Sequence, residues 1–206
     1  MTEQQGRFII LRKIKFSEAD LIIHALSATG SKKSFIARSA LKSKKRFGGG
    51  VLEPLHYVNF TYKSTNKENG LNQLTEAQLI DDFKNIRDGY DKLDLALYVV
   101  RCAAHVSQEE DVNSAFLFNL VGHSLNKIAA TTVDKQLLRL KMHFNLKFLF
   151  QQGVIDIDPW MNPFLKENIT DSNRIDDVAG LAELLDTYSE SIDSLVEHYL
   201  KSADTT

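Results

Sequence analysis

The chain has 206 residues, 43% of them apolar and 25% charged, a balance that fits one large globular domain or two modest ones and excludes a low-complexity or disordered chain. The net charge is −2, and no apolar run approaches the roughly 18 to 20 residues needed to span a bilayer. Cys102 is the single cysteine, which excludes an intrachain disulfide framework and any multi-cysteine metal site. The first six residues lack the plan of a signal peptide, so a reducing cytoplasm is the expected compartment. The charge is unevenly divided. Residues 1–75 carry thirteen basic and five acidic side chains, whereas residues 76–206 carry twelve and twenty-two, which predicts two units with different partners.

In chain order, residues 8–11 and 21–26 are short apolar runs separated by Ser17-Glu18-Ala19-Asp20. The turn signal Ala28-Thr29-Gly30-Ser31 leads into a third strand at residues 34–38. Gly48-Gly49-Gly50 permits a tight or bulged connection. Residues 55–62 alternate, with Val58, Phe60 and Tyr62 on one face and Tyr57, Asn59 and Thr61 on the other. A polar loop at 63–70 precedes a last strand at 71–74. Several short strands so close together predict a small barrel, for which the oligonucleotide-binding OB fold is a candidate.

From Thr75 the period changes, and Thr75-Glu76-Ala77-Gln78 reads as an N-cap with acidic first-turn support. Helices are expected at residues 91–106, 112–130 and 133–152, the last of them very apolar and stopped by Gly153. Residues 156–163, with Pro159 and Pro163, read as irregular. Residues 174–200 read as one or two amphipathic helices broken near Gly180, with residues 201–206 fraying. The expected fold class is α+β: an OB-fold β-barrel at 1–75 followed by an all-α helical domain at 76–206.

No catalytic constellation stands out. There is no Gly-x-Gly-x-x-Gly, no P-loop and no His-Glu-x-x-His, and the six histidines are scattered without close metal-ligand pairs. Cys102 beside Ala103 and Ala104 reads as a buried, inert thiol. Enzyme activity, a cofactor and a metal are not expected.

The strongest feature is a run of seven cations, Lys32, Lys33, Arg38, Lys42, Lys44, Lys45 and Arg46, with no acidic residue among them. Such a run can track phosphates, because cations displace counterions from nucleic acid. It can also be a solvated loop, or a scaffold surface that binds an acidic partner and never DNA. Phe35 and Phe47 bracket the cluster, but each reads more naturally as core than as a base-stacking platform. A second set, Lys135, Arg139, Lys141 and Lys147, punctuates the most apolar helix, with no acid between Asp134 and Asp156. That pattern suits an acidic, hydrophobic-ended peptide, or a central bundle helix whose cations snorkel to water; the pattern by itself favours the second.

Several segments resemble the bacterial RecO family in order along the chain. Glu18-Ala19-Asp20-Leu21-Ile22-Ile23, Thr29-Gly30, Ile36-Ala37-Arg38-Ser39-Ala40 and Lys42-Ser43 are similar to its N-terminal domain. Phe47-Gly48-Gly49-Gly50-Val51-Leu52-Glu53-Pro54-Leu55 looks like its run from a phenylalanine into a Leu-x-Pro-like strand. Leu71-Asn72-Gln73-Leu74-Thr75-Glu76-Ala77 is similar to its passage from barrel to helices, and Phe144-Asn145-Leu146-Lys147-Phe148-Leu149 to its long helix. The correspondence covers most of residues 6–160.

The resemblance implies a non-enzymatic recombination mediator in DNA repair, cytoplasmic and nucleoid-associated. Such a protein binds single- and double-stranded DNA, anneals complementary strands and, with RecR, helps RecA load. It also engages the acidic tail of single-stranded DNA-binding protein, which raises the peptide-binding reading of Lys135, Arg139, Lys141 and Lys147. One departure is plain. Many members carry a four-cysteine zinc site after the long helix, near where Asp156-Ile157-Asp158-Pro159-Trp160 stands here, and this chain has no cysteine there.

Overall fold

The structure is a computed structural model and describes residues 3–65, 70–107 and 115–203. Strands β1 (Glu3–Lys15), β2 (Leu21–Ser27), β3 (Lys32–Ala37), β4 (Tyr57–Lys63) and β5 (Asn72–Asp81) close into a barrel in the order β1-β2-β3-β5-β4. Every pairing is antiparallel except β3 with β5, where Phe35 and Ile36 run parallel to Asn72 and Gln73. Closure depends on β1 serving two neighbours. Its first half, from Glu3 to Ile9, pairs with β4, and the stretch from Phe8 to Lys15 pairs with β2. The register shifts between Ile10 and Arg12, a bulge of the kind that lets a strand bend around a small barrel. This is the OB-type barrel that the strand pattern predicts.

The alternation in β4 sets its inner face, with Val58, Phe60 and Tyr62 buried and their neighbours half-exposed. The rings of Phe8, Phe35, Phe60 and Tyr62 fill the centre, at centroid separations from 5.1 Å to 6.0 Å. Such pairs contribute about 0.5–1.5 kcal/mol each beyond the area they bury. Phe35 and Phe47 both belong to this core. They are therefore not stacking platforms.

The helix expected to open at Thr75 is a strand. Residues 72–81 pair with β4 along nearly their whole length, Leu74 is buried, and the Thr75 hydroxyl donates to the Thr61 carbonyl at 2.8 Å. A boundary between residues 75 and 76 would cut this strand. The compact units are instead Met1–Lys84 with Ser107–Gly122, and Asn85–Val106 with His123–Thr206. The first unit thus includes the start of a helix, α3 (Ala115–Ala130), whose Phe118 ring lies 5.9 Å from Tyr57.

The second unit contains α2 (Tyr90–Val106), the rest of α3, α4 (Asp134–Gln151), α5 (Asn162–Lys166) and α6 (Leu181–Ala203). Helix α4 is its centre, packing against α2, α5 and α6 with Leu140, Phe144, Leu146, Phe148 and Leu149 all buried. It ends as expected at Gly153, whose φ is +67°. The Val154 N–H donates to the Leu149 carbonyl and the Gly153 N–H to that of Phe150, both at 3.0 Å, which is a Schellman closure. Gly180, at φ +75°, separates α6 from the 3-10 segment Ile169–Asp177. The irregular stretch expected at 156–163 contains a 3-10 turn at Pro159–Met161, and Trp160 stacks on Tyr188 with centroids 4.1 Å apart. Of the fraying end expected at 201–206, residues 201–203 instead continue α6; residues 204–206 and the expected start of α3 at residue 112 fall outside the described residues, and no described helix is long and apolar enough to cross a membrane.

Candidate nucleic-acid interface

The seven cations occupy β3 and the segment that follows it. Lys32 and Lys33 lie in the strand itself, paired across the sheet with Leu26 and Ala25. The Lys33 ammonium donates to the Tyr62 hydroxyl at 3.1 Å and sits 5.3 Å from the centre of its ring. After Ala37 the chain turns outward, with Arg38 exposed and Ser39 at φ +55°. Two hydrogen bonds fasten this loop to the β1–β2 turn. The Ser39 N–H donates to the Asp20 carboxylate at 2.7 Å, and the Leu41 N–H to the Ala19 carbonyl at 3.1 Å.

The loop leads into a one-turn helix, α1 (Lys44–Phe47), capped by the Ser43 hydroxyl. Phe47 is buried in the barrel core, so the turn is anchored on one side and presents Lys44, Lys45 and Arg46 to solvent. Arg46 is held in place: its side chain donates to the Ser43 hydroxyl at 3.2 Å and to the Arg38 carbonyl at 3.0 Å. Its guanidinium also lies 5.1 Å from the Phe47 ring centre. Among the described residues, none of the seven cations forms an ion pair with a carboxylate. Arg38, Lys42, Lys44, Lys45 and Arg46 are exposed and form an uncompensated positive stripe along the loop after β3, while Lys32 and Lys33 are half-buried in the strand that leads into it.

The second set of cations behaves differently. The side chain of Lys135 lies outside the described residues. Arg139 is buried at 3% exposure and ion-paired with Asp176; burial lowers its pKa. Lys141 pairs with Asp193 at 2.5 Å and lies 5.0 Å from the Tyr98 ring centre. Lys147 donates to the Leu165 carbonyl at 3.0 Å, and its pKa is lowered by burial, partly offset by the charge of Glu167. Three of the four thus join helices inside the unit. Lys141 also borders a cleft of about 250 Å³ lined by Asp91, Asp94, Leu95, Tyr98, Leu137 and Leu138.

The groups with the most displaced pKa values belong to structural networks. The Tyr98 hydroxyl donates to the Asn145 side-chain oxygen at 2.9 Å, and the Asn145 amide donates to Asp193 at 2.8 Å, linking α2, α4 and α6. Burial raises the Tyr98 pKa, and it pushes the Cys102 thiol up to about 12. His143 is wholly buried, with Nε2 3.1 Å from the Glu167 carbonyl; burial and then the charge of Lys147 push it down to about 4. Among the described residues no group of three His, Cys, Asp or Glu is placed to hold a metal ion.

Sequence reading missed Phe16 and Leu41. Both are large and apolar, yet 59% and 56% exposed beside the basic loop. The only signal was position: Phe16 directly precedes a polar turn, and Leu41 interrupts a basic run.

Barrel topology and surface charge together define an OB-fold protein with a cationic loop between β3 and β4. Comparison with known proteins shows what the chain is similar to. Residues 1–83 match the family described as Recombination protein O N terminal. The chain is 32% identical over 146 residues to the DNA repair protein RecO of Desulfatibacillum aliphaticivorans, covering 71% of this chain and 55% of that one. It is 32% identical over 151 residues to the RecO of Maridesulfovibrio salexigens, covering 73% and 59%. With the RecO of Syntrophus aciditrophicus identity is 33% over 130 residues, covering 63% and 49%. Residues 1–83 thus match the RecO N-terminal family, and the chain is similar to DNA repair proteins RecO. It spans about half the length of the curated relatives it matches.

Proposed function

We propose that this protein is a DNA-binding recombination mediator acting in DNA repair, without bond-making or bond-breaking chemistry of its own. The observation that carries the reading is the stripe on the barrel. Lys32, Lys33, Arg38, Lys42, Lys44, Lys45 and Arg46 lie within one strand and its following loop with no carboxylate partner among the described residues. A polyanion supplies the missing countercharge, and releasing its condensed ions supplies the affinity. In this reading the seven side chains contact phosphates, and Arg46, already oriented by Ser43 and the Arg38 carbonyl, loses little freedom on binding.

The finer roles extend from the same reading: binding single- and double-stranded DNA in the nucleoid, annealing complementary strands, and helping RecA load through RecR and single-stranded DNA-binding protein. A dock for the acidic tail of the last on Lys135, Arg139, Lys141 and Lys147 has less support. A tail seated at Lys141 displaces Asp193 and meets Asp91 and Asp94 at the rim of the cleft. Arg139 and Lys147 are already engaged inside the unit. A strand-annealing assay with complementary oligonucleotides tests the mediator reading: faster annealing than the spontaneous rate supports it, and an unchanged rate contradicts it.

A further inference from the structure

The barrel already has a full set of rings at its centre, and Phe16 is not one of them. It stands at the end of β1 and is 59% exposed. Its own N–H donates to the Asp20 carbonyl at 3.0 Å, which closes the β1–β2 turn. The turn is fastened in its place by the bonds from Ser39 and Leu41 to Asp20 and Ala19. The exposed ring therefore sits on the same hydrogen-bonded knot as the exposed Leu41, rather than on a free hairpin tip. Lys15 is its chain neighbour, Arg38 and Lys42 flank the other side of the knot, and the Arg46 guanidinium is tied to the Arg38 carbonyl. Glu18 is exposed on this turn too, so phosphates are expected on the side of Arg38, Lys42 and Arg46.

We propose that Phe16 is the platform on which an unpaired base stacks, with Leu41 as its apolar shoulder and the neighbouring cations holding the adjoining phosphates. The inference rests on the DNA-binding reading and deepens it by naming the strand state. A ring carried on a surface turn can stack only on a base whose face is free, and inside a duplex those faces are covered by neighbouring pairs. An acidic protein surface satisfies the cations equally well but offers the ring no π face to cover. Single-stranded nucleic acid satisfies both the charge and the ring, which is the combination such binders use.

The test is a pair of fluorescence titrations, with a single-stranded oligonucleotide and with a blunt duplex of the same sequence, on the full chain and its Phe16→Ala, Phe16→Leu and Phe16→Trp variants. Phe16→Ala and Phe16→Leu are expected to weaken single-strand binding roughly tenfold, with Phe16→Trp retaining it. Duplex affinity is expected to hold, and so is the salt dependence, since no cation is removed. Melting temperatures of all variants should match the parent, because the side chain is exposed. The proposal is overturned if Phe16→Ala leaves single-strand affinity unchanged, if it weakens single strand and duplex equally, or if Phe16→Leu binds like the parent. If the unmodified protein binds neither DNA, the function itself is wrong; if it binds both and Phe16 is inert, only this role is.

Discussion

Arg46 and Arg139 carry the same charge and are used in opposite ways. Arg46 is exposed, positioned by neutral oxygens and left with its charge uncompensated, whereas Arg139 is buried against Asp176. Sequence counts both as members of basic runs. It cannot say which cations already have an acid, because Asp176 and Asp193 lie more than thirty positions away in the chain. The same blindness hides His143, which faces the Glu167 carbonyl from inside the helical unit with Lys147 and Arg139 as its charged neighbours. Its folded-state pKa of about 4 lies below the ordinary value of 6.5, so the unfolded chain binds the proton more readily. Stability is therefore full above pH 6.5 and falls progressively as the pH drops toward 4, by up to about 1.4 kcal/mol per pH unit from this group. Thermal melts of the parent and of His143→Gln across that window should show a shallower acid loss in the variant. Parallel curves would mean that His143 is not buried in its neutral form.

At the scale of elements, the sequence announces those that carry their own period and hides those that borrow it. Strand β4 and helix α4 were legible because Val58-Asn59-Phe60-Thr61-Tyr62 alternates and the apolar residues of α4 recur until Gly153. Strand β5 was not. Its buried anchor is Leu74, while Leu79 and Ile80 remain half-exposed, so no alternating pattern marks it. Pairing with β4 overrides the local helix-start signal at Thr75. In the barrel, Phe60→Ala should cost about 3–5 kcal/mol, since its fully buried ring packs against those of Phe8 and Phe35. Urea denaturation measures this, and a loss under about 1 kcal/mol would mean the ring cluster is not the barrel's core. At the end of α4, Gly153→Ala meets no atom within 4 Å, so its cost is conformational only, about 1 kcal/mol. The same denaturation experiment reads it, and a stabilised variant would contradict the left-handed closure.

For the whole molecule, the division of charge seen in the sequence is matched by a division of use. The barrel leaves its basic stripe without acidic partners among the described residues, while three of the four cations singled out on α4 are engaged within the helical unit. The boundary between units was less legible than the charge, because β5 and the first half of α3 belong with the barrel. The central claim is that the barrel's stripe binds the phosphates of DNA. It is tested most directly by a salt titration of single-strand binding with the parent protein and with Lys42, Lys44, Lys45 and Arg46 all changed to Ala. The parent's affinity should fall with a log–log slope of about −0.7 per phosphate neutralised, and the variant should bind more weakly with a slope shallower by up to about 3. Equal affinity and equal slope for the two proteins would contradict it.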